Sequence, residues 1–573
     1  MKSASSKTPR WRVKILCSVS GIMLCVILLI AQGCKRQEET PAGAEVTPDE
    51  GVVISLETTF AGLKPDEFES NVPRDLPTSD INEWGAEMLA DMVDPEVDEK
   101  ELAESLSELL PDDMVERILR PEFVLRDSSH IRDCLWARQL SESVTARSES
   151  ELDAIVDLFY FVVNTVRVVP AEESLPFGPF ESTLHGMGTT GDRAWIFATL
   201  LRQRRIPTLV FVSDESDEPA ENLIVGALLN GSIYLFDAGL GLPIASPEAS
   251  ESSVLVRQPA TLAELVADES VLAGMGAGGP SPYGISLEQF KQLQPQVIGD
   301  SSVWSRRMEG LRNGQPVEVK AIIFEALISC GPFEGIVEIV SEHLSKVLPE
   351  AKLGVWLYPE EQREARESVR QDKDQSKRLA SLEDTFLVPQ PVTAAMVPDK
   401  GNPGKQKLEI VVGTSWGTHR RSRVNQILGR PEEAIPAYLN VQNWRTLPPS
   451  PDDQPIDAQS RSAVAQQLPE DVKQRHQNAA EEAFVWRATC QIQKQAFASA
   501  AVTLEEYIRQ SATGTHSGQF GNEANYLAGL SLALSGNSRR GAAFLRKVDS
   551  DNSRYDVARW LIARWTAQSE KDK

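Results

Sequence analysis

Cysteine and histidine are both scarce, with six of each in 573 residues. Cys17, Cys25 and Cys34 crowd into the first 34 positions, and Cys134, Cys330 and Cys490 are scattered too widely to form a CxxC pair. The histidines show no HExxH or comparable spacing, so neither a zinc frame nor any other metal or cofactor is expected. The three scattered thiols read as small buried hydrophobes. Positive charge is also short: 58 Lys and Arg stand against 83 Asp and Glu, a formal net charge of -25. Such a chain repels phosphate backbones, which excludes nucleic acid as the expected partner. At 41% hydrophobic and 25% charged residues the usage is globular, which excludes a wholly disordered, collagenous or polytopic membrane chain. The length calls for roughly three or four domains.

The basic residues that do occur are unevenly placed. Lys2, Lys7, Arg10, Arg12 and Lys14 precede an apolar run from Ile15 to Ala31, the order an export signal needs to orient and insert. The run ends Ala31-Gln32-Gly33-Cys34, which resembles a lipobox, with residues 1–33 removed and Cys34 lipidated as the new first residue. Gln32 and Ala31 depart from the usual residues of that motif. The alternative is an uncleaved single anchor over residues 15–34, since about 20 apolar residues span a bilayer. Either way the bulk of the chain is expected outside the cytoplasm, on a bacterial cell envelope.

Residues 34–80 are rich in Glu, Asp, Pro and Thr and read as a disordered tether. Residues 81–147 form a helical segment broken by Pro111 and Pro121. From residue 148 the pattern sharpens. Ser148 and Glu151 have capping-box spacing, and Leu152, Ile155, Val156, Phe159, Val162 and Val166 recur at helical intervals. A glycine-rich turn, a helix over about 191–204 and a strand over 208–212 follow. Next, Asn230-Gly231 between two apolar runs predicts a tight β-hairpin. This succession predicts an α+β unit over 148–245. Residues 246–365 are mixed and expected to pack on it, 366–409 read as a linker, and 410–573 as a helical region. There, Trp486, Ala501 and Leu504 align with Leu527, Ala542 and Leu545, which resembles tetratricopeptide-type hairpins at a longer period; a plain helical bundle is the alternative.

Gly186, Gly188 and Gly191 spell GxGxxG before a helix, the outline of a dinucleotide fingerprint. The lead-in PFGPFESTLH is not the apolar strand that motif requires, so nucleotide binding is not expected. The same stretch, with Thr190-x-Asp192, a helix ending Leu200-Leu201-Arg202 and the Arg205-Ile206-Pro207 entry to a strand, resembles the transglutaminase-like family. That resemblance implies a papain-like fold whose cysteine sits at a helix N-terminus, with a histidine and an aspartate on neighbouring strands.

Carried over position by position, the cysteine falls on Thr190, the histidine on about Asn222 and the aspartate on Asp237. Threonine is a poor nucleophile without a base, and Asn222 cannot shuttle a proton. His185 is the one nearby candidate for rescue; Asp237 could equally be a turn residue, and Asp192 a helix-start acid. IYLFDAGLGLPI from Ile233, with DRAWIFATLLRQ, further resembles bacterial envelope lipoproteins whose transglutaminase-like domain lacks the catalytic cysteine. The implied function is a catalytically degenerate scaffold that binds an envelope protein or peptide. The alternative is a peptidase or amide transferase using Thr190 with a non-standard base.

Overall fold

The computed structural model describes residues 99–571 apart from 214–222, 250–252, 276–283, 314–320, 370–371, 387–392, 399–405, 412–417 and 445–469. The expected signal, Cys34 and the tether therefore lie outside the described residues, as does Asn222. The architecture is mixed α and β and mainly helical.

The chain enters through α1 (Glu99–Ser107), α2 (Asp112–Leu119) and α3 (Leu125–Val144). Helix α4 (Glu151–Thr165) carries the apolar face predicted for it, but its cap is Ser150, whose hydroxyl accepts the Asp153 N–H. Ser148 instead donates to Asp157, a partner nine residues on. A two-residue parallel pair, β1 (Arg167–Val168) with β2 (Met187–Gly188), brackets α5 (Pro179–His185). Helix α6 (Thr190–Arg202) is buried along nearly its whole length, Asp192, Arg193 and Arg202 included.

Strands β3 (Thr208–Val212), β4 (Ile224–Leu229), β5 (Ser232–Asp237) and β6 (Leu242–Pro243) continue the unit. The hairpin turns on Asn230 and Gly231, both at positive φ, and pairs Leu229 with Ser232 and Ile224 with Asp237. Among the described residues the sheet has six strands in the order β6-β5-β4-β3-β7-β8. Its last two, β7 (Gln294–Ile298) and β8 (Gly354–Trp356), come from the region expected only to pack on the domain, so the sheet runs past residue 245. Within this six-stranded sheet only β7 and β8 pair in parallel. Phe159 of α4, Phe197 of α6 and Phe236 of β5 meet with ring centroids 5.1 to 5.3 Å apart, joining both helices to the sheet.

Between β6 and β7 lie α7 (Leu262–Ala267), α8 (Ser270–Ala273) and α9 (Leu287–Gln292); α10 (Arg306–Asn313) and α11 (Ile336–Leu344) precede β8. The stretch read as a linker carries the end of α12 (Tyr358–Val369), α13 (Lys373–Phe386) and a hairpin of β9 (Thr393–Pro398) and β10 (Gln406–Val411). Its polar composition reflects an exposed helix that docks through few side chains, Phe386 among them.

Among the described residues, the next six helices form three hairpins. These are α14 (Thr418–Ile427) with α15 (Pro431–Gln442), α16 (Glu470–Gln493) with α17 (Phe497–Ala512), and α18 (Gly521–Leu534) with α19 (Ser538–Leu545). Each first helix ends on a residue at positive φ, Gly429, Gln495 or Gly536, followed by the same pair of backbone bonds back into the last turn. Helix α20 (Tyr555–Lys571) closes the chain. The helical region is not held apart: Arg423, Arg554, Trp560 and Trp565 each donate to backbone carbonyls of the α+β unit.

Candidate functional site

The N-terminus of α6 is where the sequence places its chemistry. Thr189 is the N-cap: its hydroxyl accepts the Asp192 N–H, and the Asp192 carboxylate accepts the Thr189 N–H at 2.7 Å. The Tyr358 hydroxyl, arriving from the start of α12, lies 2.6 Å from Thr189 Oγ1 and donates to Asp192 Oδ1 at 2.9 Å. The Tyr358 ring, stacked on Trp356, lies over Gly191 so closely that a Cβ there would meet it at 2.6 Å. A Cβ on Gly188 would likewise meet Asp192 at 2.8 Å. These glycines make room for a tyrosine and a carboxylate. An incoming phosphate would face the Asp192 charge where the fingerprint needs bare N–H groups.

Asp192 is only 1% exposed. Burial raises its pKa to about 6, against the opposing pull of hydrogen bonds from Thr189 and Tyr358. Its oxygens are committed to the cap. Thr190, next along the helix, is half-buried, and its hydroxyl has no hydrogen-bond partner among the described residues.

His185 does not act on Thr190. Its ring stacks on Phe177 at 4.8 Å and 14°, and lies against Phe386 at 5.4 Å. Burial lowers its pKa to about 4, so it is neutral at pH 7. Asp237 is buried at the end of β5, and its Oδ1 accepts the Leu240 N–H at 2.7 Å, closing the turn through Gly239. Asp237 and the start of α6 do share one end of the sheet. Arg193, one turn past Thr190, donates to the carbonyls of Ala238 at 3.0 Å and Val166 at 2.9 Å.

Arg193 and Tyr358 are the side chains that sequence reasoning does not find. A cation in the first turn of an apolar helix opposes the helix dipole, which is the one local clue to Arg193. Tyr358 is 166 residues from Asp192 and has no local clue. A second pair resembles catalytic machinery: Cys134 Sγ lies 3.5 Å from His130 Nε2. That nitrogen also sits 2.8 Å from the Ile323 carbonyl, and burial lowers the histidine pKa while raising that of the thiol. Both groups stay neutral and shut away from solvent. Cys134 and Cys490 are free thiols.

Among the described residues no cluster of His, Cys, Asp and Glu could hold a metal ion, and no helix is long and apolar enough to cross a membrane. Comparison with protein-family models, with curated proteins and with solved structures yields no match for this chain.

Proposed function

We propose that the chain is an exported, lipid-anchored envelope protein whose α+β unit is a degenerate transglutaminase-like domain, retained as a protein- or peptide-binding scaffold and not as a catalyst. The observation that carries this reading is the seal over α6. The position a nucleophile would occupy holds a threonine without a base, and the Tyr358-Thr189-Asp192 bonds consume the polar groups around it. Further support comes from the meeting of α6 with the end of β5 through Arg193, the arrangement the family's chemistry would need. The helical hairpins, with their repeated turn, supply the extended surface that a tetratricopeptide-like binding region requires.

Catalysis is tested by offering a glutamine-containing peptide with hydroxylamine and following hydroxamate and free acid. Neither product is expected above background, and Thr190→Ala changes nothing. Turnover lost in Thr190→Ala would establish the enzyme reading instead. Palmitate labelling of cells expressing the wild type and Cys34→Ala tests the anchor, which predicts label on the first and none on the second.

A further inference from the structure

A cavity of about 770 Å³ opens at the end of α6 opposite the sealed cap. Its size falls within the range typical of ligand pockets. Arg138, Arg202, Arg205 and Arg312 line it together with Glu325 and Glu334, over an apolar floor that includes Phe324 and Phe333. In a chain of net charge -25, a hollow with four arginines against two glutamates is locally positive.

These arginines divide by what already holds them. Arg202 is spent on Glu325 and the Ile298 carbonyl, and Arg138 on Glu142 and the Gln203 carbonyl. They fix the wall. Arg205 and Arg312 have no carboxylate partner among the described residues, and both are exposed; Arg312 lies over the Phe333 ring at 4.8 Å.

Arg205 is held at φ 59°, in the left-handed region, as the residue that ends α6. Its N–H bonds back to Arg202 and the Ile206 N–H to Leu201, the turn for which glycine is the low-strain choice. A strained arginine kept at the mouth of a cavity points to a use for its side chain. We propose that this cavity binds an acidic peptide segment, its carboxylates on Arg205 and Arg312 and a neighbouring apolar side chain on Phe324 and Phe333. A small dicarboxylate would leave that floor uncovered. The proposal holds whether or not the sealed end of α6 descends from a catalytic site.

The probe is a fluorescein-labelled peptide of alternating Glu and Leu, titrated with the full chain and read by anisotropy. Peptides with Gln or Lys in place of Glu serve as controls, and unlabelled succinate as competitor. The Glu peptide should bind at least about tenfold tighter than the Gln peptide, and weaken as salt rises from about 0.05 M to about 0.5 M. Arg205→Gly should weaken it at least about tenfold while leaving the thermal midpoint unchanged or higher, because glycine relieves the strained turn. Arg312→Ala gives an independent reading should the first variant fold poorly. Equal binding of the Gln peptide, unaltered affinity in both variants, or full displacement by equimolar succinate would each overturn the proposal.

Discussion

Asp192 gives the sealed cap a measurable signature. Its folded-state pKa of about 6 lies above the ordinary 3.8, so the folded protein binds this proton more tightly than the unfolded chain. The associated stability is complete below the ordinary value and is lost as pH rises through about 6. At 1.36 kcal/mol per pH unit, the loss is at most about 3 kcal/mol. In Asp192→Asn this slope is expected to vanish, so the variant gains on the wild type between about pH 4 and pH 7. Urea midpoints across that range check it, and parallel curves would contradict it. At Gly191 the test is steric. Gly191→Ala drives a methyl into the Tyr358 ring and should cost about 1–3 kcal/mol, most of it recovered in Gly191→Ala/Tyr358→Ala, as a double-mutant cycle would reveal. The capping-box spacing from Thr189 to Asp192 is legible in the sequence because both partners lie within one turn. The tyrosine that completes the seal is not, because only the tertiary fold brings α12 there.

What brings Tyr358 to α6 is the anchoring of α12. Glu360, two residues on, accepts from the Ser301 N–H and pairs with Arg117 and Arg126. Arg363, one turn later, donates to Asp300 at 2.7 Å and to Asp133 at 3.3 Å. Burial pushes the Asp300 pKa up, but the Arg363 guanidinium overcomes it and holds the carboxyl well below the usual range. Removing one partner strands a buried charge, so Arg363→Met is expected to cost about 3–5 kcal/mol. Replacing Asp300 and Arg363 together by apolar residues should cost much less. Chemical denaturation of Arg363→Met, Asp300→Leu and the double variant tests this, and an additive double variant would show that the pair does not act as a unit. The same contrast runs through the rest of the fold. The β4–β5 hairpin and the tail helices follow from Asn230-Gly231 and from apolar spacing, which are local. The sheet's reach to β7 and β8, and the helix α13 within the polar stretch 366–409, depend on partners far along the chain.

Across the molecule, buried arginines and tryptophans tie the helical region to the α+β unit. Arg423 is fully buried, caps the C-terminal carbonyls of α5 and lies 4.3 Å from the Trp486 ring centroid. Arg554 donates to the Val163 carbonyl of α4 while paired with Glu523 of α18 at 2.9 Å. Rings continue the tie, with Phe386, His419 of α14 and Trp486 in mutual contact, their centroids 5.0 to 6.0 Å apart. An interface with this many desolvated donors gives neither side a stable surface of its own, so the two regions should unfold together. Calorimetry of the wild type is then expected to give one transition with equal calorimetric and van't Hoff enthalpies. Arg554→Met leaves Glu523 without its cation and should cost about 3–5 kcal/mol. Combined with Arg423→Met, it removes both of these arginine anchors, leaving those of Trp560 and Trp565 in place, and should split the endotherm, the helical region melting first. Two transitions in the wild type would mean that the buried arginines hold the regions in contact without coupling their folding.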